Sequence, residues 1–291
     1  MRIRDGALRQ LLRRQASRTQ NLTARIIARL WVGFAVPRAG PPTTEVVVAL
    51  TTYPARAGQV HRTVKSILLQ NACPIVVLYL AREEFPDEER SLSRRLSALV
   101  RRYPDRLSVR FLQGNALSYK KLIPALNDFP GRTIVTVDDD VIYTSEWMAL
   151  LLRTAAEHPD TIVGTRGSWV SRRADGTLAP YRDWPTAPAD EASHSVFLTG
   201  RGGILYPPHS LSLDVFDLQR AMKLAPRGDD IWFKACALKA GTRAVRTSTH
   251  RELPDSGADQ KSALYRHNLY GDANDRAMEL VFESLGVLHQ V

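Results

Sequence analysis

Three consecutive carboxylates, Asp138, Asp139 and Asp140, give the strongest chemical signal in the sequence. They follow the apolar run 133–137, so a buried strand is expected to end in them. Burying adjacent carboxylates is costly unless a cation neutralises them. Because alternate residues of an extended segment point the same way, Asp138 and Asp140 can face one site. Such oxygen ligands suit Mg²⁺ or Mn²⁺, although a solvated acidic turn would have the same composition.

A second acidic pair, Asp229 and Asp230, comes just before an aromatic stretch in the sequence RGDDIWF. Aspartate is favoured at helix N-termini, so capping of a helix explains this pair when it is taken alone. Taken together with the first acidic cluster, the pair suggests a catalytic base that is separate from the metal site.

Three weaker signals accompany the acidic clusters. The segment GRGGILYPP contains Gly202 and Gly203, which permit a ligand to approach the backbone closely, but a bulge or a turn is equally consistent with them. In the segment SYKK, Lys120 and Lys121 either pair with phosphates or are solvated surface charges. His250 follows the last predicted strand, where a metal contact stays open, although most lone histidines are not ligands.

The elements that must position these residues follow an α/β pattern. Apolar runs predict buried strands at 45–50, 75–80, 107–112 and 133–137. Helical patterns lie between them at 60–70, 86–103 and 122–129. This alternation predicts an α/β fold with a mostly parallel central sheet flanked by helices. In such sheets ligands bind beyond the carboxyl ends of the strands, which is where the three aspartates lie.

The second half of the chain is less regular. We expect helices at 147–158 and 229–240, a long loop at 171–191, and strands within 161–169, 196–206 and 242–247. The strand at 196–206 is interrupted by glycines. A polar loop and a last helix are expected within 255–291.

Charge and composition limit the class of protein. The chain has 291 residues, 44% of them apolar, with a formal net charge of +10. This composition excludes global disorder, and the charge favours polyanionic partners. Residues 1–36 carry many arginines among apolar residues at helical spacing, which predicts a basic amphipathic extension. This extension either docks on an anionic membrane or packs on the catalytic domain or a second subunit and leaves its arginines to solvent. We divide the chain into an extension and linker (1–42), a catalytic domain (43–254) and a C-terminal loop and helix (255–291).

The cellular setting is predicted from what the sequence lacks. Cys73 and Cys236 have no metal-binding spacing, so buried free thiols in a reducing compartment are expected. The longest uncharged part of the N-terminal segment, 30–37, is too short to span a bilayer, and no signal-peptide pattern is present. We expect a cytoplasmic protein that can contact the inner face of the plasma membrane through residues 1–36.

Five motifs in order resemble bacterial glycosyltransferases with the GT-A fold, of the family-2-like type associated with capsule or lipopolysaccharide assembly. They are ALTTYPAR, SYKKLIPAL, IVTVDDDVIY, GRGGILYPP and GDDIWFKA, and the resemblance covers about residues 44–250. It implies a metal-dependent enzyme in which the aspartate triplet binds a divalent cation and the donor's ribose and diphosphate. It also implies that Asp230, beside Asp229, acts as the base of an inverting reaction.

The resemblance further implies a donor site and a metal site. The first strand and its loop match the segment that holds the nucleotide base. The donor-binding residues are then Thr51, Thr52, Tyr53, Arg56, Lys120, Lys121, Asp138, Asp139, Gly202 and Gly203. The metal ligands are then Asp138, Asp140 and His250, with Mn²⁺ or Mg²⁺ as the cofactor.

The expected function is the transfer of a sugar from a nucleoside-diphosphate donor, with UDP favoured, to a hydroxyl of a glycan or lipid-linked acceptor in surface-polysaccharide biosynthesis. A nucleotidyltransferase is the first alternative, but it should carry a glycine-rich phosphate loop after its first strand, and TTYPARAG has one glycine. A non-enzymatic protein that binds membranes or nucleic acid is the second. It explains the charge but not the acidic clusters, and nucleic acid is the less favoured partner.

Overall fold

A computed structural model describes residues 23–248, 253–255 and 273–291 of the chain. The helices in these residues are α1 (23–34), α2 (Pro54–Ala57), α3 (Val60–Leu68), α4 (Arg94–Arg102), α5 (Ile123–Asp128), α6 (Trp147–Glu157), α7 (Leu218–Leu224), α8 (Asp229–Lys239) and α9 (Ala273–Leu285). The strands are β1 (Val47–Thr51), β2 (Ile75–Ala81), β3 (Leu107–Leu112), β4 (Ile134–Thr136), β5 (Ile162–Gly164), β6 (Gly167–Trp169), β7 (Val196–Leu198), β8 (Ile204–Tyr206) and β9 (Ala244–Arg246).

In the described part of the chain, seven strands form the central sheet in the order β3-β2-β1-β4-β8-β5-β9. Strand β8 runs antiparallel to β4 and β5, and the other neighbouring pairs in this sheet are parallel. Strands β6 and β7 pair separately as an antiparallel ribbon. The predicted α/β fold with a mostly parallel sheet flanked by helices is therefore confirmed.

Strand β1 shows why its sequence is continuously apolar. Val47 and Ala49 pack into one buried cluster, together with residues of α5, α8 and α9. Val48 and Leu50 point to the opposite face and pack with residues of α3, α4 and α6. Because successive residues of a strand alternate between faces, a strand covered on both sides favours apolar residues at successive positions.

Two local predictions differ from the structure. The helix predicted over 86–103 begins only at Arg94, because the side chain of Ser93 caps it by accepting a hydrogen bond from the Leu96 amide. The pattern at 196–206 forms two strands of different sheets, since a single turn of 3₁₀ helix at Gly200–Gly202 separates β7 from β8. Helix α7 was not predicted from the sequence.

The N-terminal extension is helical over 23–34, as predicted for this part of it. Ala28 and Val32 of α1 pack on Ile142, which follows the aspartate triplet. Residues 1–22 of the extension and 256–272 of the predicted C-terminal loop lie outside the described residues. In the described parts of the chain, no helix has the length and apolarity needed to cross a membrane. Both cysteines are free and buried, as expected. The division into three parts stays a prediction.

Candidate active site

The aspartate triplet follows β4 at the edge of the sheet where the parallel strands end. Asp139 and Asp140 are buried, whereas the side chain of Asp138 is 34% exposed. The Thr63 hydroxyl lies 2.8 Å from the carbonyl oxygens of both Asp139 and Val141, and it holds the turn against α3. One buried hydroxyl therefore anchors the backbone of the triplet to α3.

Arg56 of the short helix α2, which follows β1, neutralises the two buried aspartates. Its Nη1 atom is 2.9 Å from Oδ1 of Asp139 and 3.1 Å from Oδ2 of Asp140. The Thr52 hydroxyl donates to the second oxygen of Asp139 at 2.5 Å. Burial raises the pKa of Asp139, although Arg56 and Thr52 oppose the shift. Both carboxylate oxygens of Asp139 therefore have partners within the protein.

Lys121 joins the two acidic clusters. Its buried ammonium group is 3.1 Å from Oδ1 of Asp138 and 3.1 Å from Oδ2 of Asp229. Burial acts to lower the pKa of Lys121, but Asp138, Asp229 and Asp230 together hold it well above its ordinary value. The Ser118 hydroxyl donates to the other oxygen of Asp229 at 2.8 Å. Two motifs far apart in sequence thus meet around one cation.

Lys120 points elsewhere. Its Nζ atom is 2.7 Å from Oε2 of Glu84 and 2.8 Å from the side-chain oxygen of Asn115. The structure therefore brings Lys121 to the carboxylates and does not bring Lys120 there. The Thr51 side chain is not directed at the carboxylates either, since its hydroxyl donates to the Tyr79 carbonyl at 2.7 Å.

Asp230 lies at the start of α8 and is half-buried. One carboxylate oxygen accepts a hydrogen bond from the Gly200 amide at 3.0 Å, and the other has no hydrogen-bond partner in the described residues. Burial raises the pKa of Asp230 to about 7, and repulsion from Asp229 adds to the shift while Lys121 opposes it. Near neutral pH this group can therefore take up or release a proton.

The glycines of the segment 199–203 have separate roles. A Cβ atom at Gly200 would lie 2.8 Å from Nζ of Lys121 and 3.2 Å from Oδ1 of Asp138, so a side chain at this position would displace the Lys121 ammonium group beside the carboxylates. Gly203 has a φ of 82°, and a side chain there would strike Trp147. The Gly202 carbonyl accepts from Trp147 Nε1 at 2.8 Å. Gly202 and Gly203 therefore shape the backbone, and Gly200 faces the acidic residues.

Several residues of the site were missed by the sequence analysis. Arg201 lies 3.9 Å from Oδ1 of Asp140 and also pairs with Asp255, which pairs in turn with Arg25 of α1. The Tyr143 hydroxyl accepts from the Asp138 amide at 3.0 Å. The ion pairs of Arg201, Asp255 and Arg25 join residues far apart in the chain, so no local pattern signals them.

Lys234 lies one helical turn after Asp230 on α8 and lines a cavity of about 20 Å³ that Asp230 also lines. Its ammonium nitrogen is buried and has no hydrogen-bond partner among the residues that the structure describes. Burial lowers the pKa of Lys234 to about 7. A lysine in the middle of a helix gave no sign of this setting in the sequence.

No family model and no curated protein matches the chain. Among solved structures, the mannosyltransferase PcManGT from Pyrobaculum calidifontis, in complex with GDP-Man and Mn²⁺, is 15% identical and covers 94% of this chain and 78% of its own, with a TM-score of 0.47. A 4-diphosphocytidyl-2C-methyl-D-erythritol synthase is 13% identical over 78% of this chain and 100% of its own, with a TM-score of 0.44. The corresponding synthase from Anaerococcus prevotii is 9% identical over 56% of this chain and 69% of its own, with a TM-score of 0.35. Function is therefore argued from the site itself.

The residues present fit a divalent cation that is shared with a phosphate ligand. Burial raises the pKa of Asp140 to about 6, and the nearby Asp138 adds to the shift, so a cation here would relieve an excess of negative charge. In the described residues no group of three or more His, Cys, Asp or Glu side chains converges on one point. Mg²⁺ is commonly held by one or two carboxylates together with substrate phosphates and water. Asp138 and Asp140 would supply the carboxylates of such a site. His250 lies outside the described residues.

Proposed function

We propose that the protein is a metal-dependent glycosyltransferase that moves a sugar from a nucleoside-diphosphate donor to a hydroxyl group of an acceptor. The observation that carries the proposal is the meeting of Asp138 and Asp229 around Lys121, beside Asp230 and at the carboxyl end of the parallel strands. Ligands of open α/β sheets bind at this edge. A cation-binding carboxylate pair and a separate base are the two parts that such a transfer needs.

The donor side of the proposal uses the aspartate triplet. A divalent cation held by Asp138 and Asp140 would act as a Lewis acid on the leaving nucleoside diphosphate. Lys121 adds a buried positive charge next to Asp138. Arg56 is already engaged by two aspartates, so we assign it to positioning those carboxylates. This leaves Tyr53, whose ring lies under the Arg56 guanidinium at 5.5 Å, to contact the nucleotide base.

The acceptor side of the proposal uses Asp230. The Gly200 amide fixes one of its oxygens, and we assign the other oxygen, which is buried and has no hydrogen-bond partner in the described residues, to receive the proton of an acceptor hydroxyl. Attack on the anomeric carbon from the face opposite the leaving group would invert the anomeric configuration in one displacement. Asp229 is held by Ser118 and Lys121, which assigns it a positioning role.

The test is release of nucleoside diphosphate from a panel of UDP- and GDP-linked sugars, with Mn²⁺ or Mg²⁺ and without acceptor. Slow, metal-dependent release is expected, and Asp140→Ala should abolish it while the fold is retained. Asp105→Asn is the matched control, since Asp105 is an exposed loop carboxylate with no ion pair among the described residues. Full activity in EDTA would remove the metal from the proposal. Pyrophosphate release from a nucleoside triphosphate and a sugar phosphate would favour a nucleotidyltransferase instead.

Helix α1 supports a second partner, an anionic membrane. Its Ala28 and Val32 pack inward, whereas Ile26, Ile27, Leu30 and Phe34 are exposed, Phe34 by 82%. Arginines flank this apolar stripe, as in helices that lie in a membrane interface. We infer that α1, with the rest of residues 1–36, docks on the cytoplasmic face of the plasma membrane, near lipid-linked acceptors of surface-polysaccharide assembly.

Liposome sedimentation tests the docking. The full-length protein should bind phosphatidylglycerol vesicles at low salt and release them as salt is raised. Phe34→Ser should weaken binding clearly, whereas Leu213→Ser should not, although Leu213 is 84% exposed and lies outside α1. Equal binding by the two variants, or no binding by the wild type, would contradict the proposal.

A further inference from the structure

The two groups of aspartates that meet around Lys121 are called the acidic cluster below: Asp138, Asp139, Asp140, Asp229 and Asp230. A cavity of about 290 Å³ adjoins this cluster. It shares the segment 199–203 with that cluster, because Thr199, Arg201 and Gly202 line it while Gly200 contacts Asp230. Its volume is close to the lower end of the range for small-molecule sites, which suits a group the size of one sugar. None of the proposed donor contacts other than Gly202 lies in its wall.

Three arginines line this cavity, and its described lining contains no Asp or Glu. Arg246 uses Nε and Nη1 to donate to the backbone carbonyls of Ala187 and Thr247, at 2.7 Å and 3.2 Å. Neither Arg246 nor Arg166 pairs with a carboxylate of the described residues, whereas Arg201 pairs with Asp255. The cavity therefore carries two guanidinium groups whose charge is not balanced by the described protein.

The cavity lies within electrostatic reach of Asp230. Its wall includes Tyr181, a half-buried side chain. Burial raises the pKa of the Tyr181 hydroxyl, and the charge of Asp230 adds to the shift while Arg166 opposes it. Gly200, which lies between the wall residues Thr199 and Arg201, donates its amide to Asp230, so the cavity and this carboxylate share one backbone segment. A molecule bound between the arginines and Tyr181 would present its other end toward the carboxylate that we assign as the base.

We propose that this cavity binds the acceptor through an oxyanion, a carboxylate or a phosphate, held by Arg166 and Arg246. Guanidinium groups recognise both anions through paired N–H donors, and a partly enclosed site strengthens the contact. The acceptor hydroxyl then points toward Asp230. The inference rests on the proposed transferase function and adds to it the chemical class of the acceptor: an acidic sugar or a sugar phosphate.

Isothermal titration of the full-length, metal-free protein tests the inference with three probes: glucuronate, inorganic phosphate and glucose. Glucuronate differs from glucose in its carboxylate, so binding of glucuronate without binding of glucose supports a carboxylate-bearing acceptor, and stronger binding of phosphate supports a phosphate-bearing one. We expect the double variant that carries Arg166→Gln and Arg246→Gln to bind the anion with an affinity at least tenfold lower than that of the wild type. Arg94→Gln is the matched control, because Arg94 is exposed on α4 with no ion pair among the described residues.

The outcomes separate this inference from the function on which it rests. Equal anion affinity in the wild type and the double variant, or no anion binding by the folded wild type, overturns the arginine site. The double variant with Arg166→Lys and Arg246→Lys keeps both positive charges but lacks the paired N–H donors of the guanidinium groups. If it binds the anion better than the double glutamine variant but less well than the wild type, recognition by paired donors is supported. Arginine-dependent binding in a protein that never releases nucleoside diphosphate from a sugar donor overturns the transferase proposal and leaves the anion site standing.

Discussion

The acidic cluster and the arginine-lined cavity share the segment 199–203 but differ in how their charges are balanced. In the acidic cluster, Arg56 and Lys121 contact four aspartates between them. In the cavity, Arg166 and Arg246 meet no carboxylate of the described residues. Removing one member of a buried, balanced group of charges leaves the others uncompensated and destabilises the protein, whereas unbalanced surface charges are available to a ligand.

Asp230→Asn should have the largest effect, because it removes the proposed base without removing a charge that a cation needs. We expect kcat to fall by about 10²–10⁴-fold with donor affinity nearly unchanged. The pKa of Asp230 is raised to about 7, so the ionised, active form dominates above that pH. Wild-type kcat should therefore rise as the pH increases through about 7, and the variant should lose this step. If Asp229→Asn removed the step instead, the roles of the two residues would be exchanged.

Lys121→Met tests the internal balance of the acidic cluster. The change leaves Asp138 and Asp229 without their shared cation, and breaking a buried ion pair in this way costs about 3–5 kcal/mol. Urea denaturation should show a correspondingly lower free energy of unfolding. Lys120→Met is the neighbouring control, and it should cost less because Lys120 pairs with one partly exposed carboxylate, Glu84. Equal costs would mean that Lys121 does not balance the cluster.

The same substitution at Lys234 should have the opposite sign. Its ammonium is buried and unpaired in the described structure, so Lys234→Met removes a desolvation cost and should stabilise the protein by about 1–3 kcal/mol. Burial lowers the pKa of Lys234 to about 7 in the folded state. The unfolded chain therefore binds more protons above that pH, and wild-type stability rises from pH 7 toward the ordinary lysine pKa of about 10.4. The gain from methionine should be largest below pH 7, and a gain independent of pH would contradict this explanation.

The smallest effect on stability is expected in the arginine-lined cavity. Arg166→Gln removes an exposed guanidinium that balances no described carboxylate, so the free energy of unfolding should change by less than about 0.5 kcal/mol. The same urea denaturation measures it. A loss similar to that of Lys121→Met would show that Arg166 is a structural charge and would remove the contrast between the two regions.

The sequence predicted the sheet and the edge at which the aspartate triplet lies, because apolar strand runs and acidic residues after them are local patterns. It did not predict which lysine of the pair at 120 and 121 faces the carboxylates. Lys121 forms an ion pair with Asp229, and Lys120 forms one with Glu84, and neither partner is near in sequence. Local patterns carry no information on such distant pairing.

The glycine segment and the arginines show the same limit. The sequence analysis selected Gly202 and Gly203, but the position beside Lys121 belongs to Gly200, because only the path of the backbone decides which glycine faces the carboxylates. Arg166 and Arg246 resemble any exposed arginine in a basic chain. Their common cavity forms when β5, β6 and β9 are assembled, so no spacing in the sequence relates them.

The antiparallel strand β8 has a consequence for synthesis on the ribosome. Strands β1 to β4 can pair as soon as they emerge, but β4 then has an open edge until β8 arrives to pair Thr136 with Ile204. Strand β5 also pairs with β8, so it cannot join the sheet earlier through that neighbour. A nascent chain that ends between β5 and β8 therefore exposes the unpaired edge of β4. Exposed strand edges of this kind can pair with other chains and lead to aggregation, and chaperones protect them. The acidic cluster, which needs α8 from still later in the chain, is among the last parts of the protein to form.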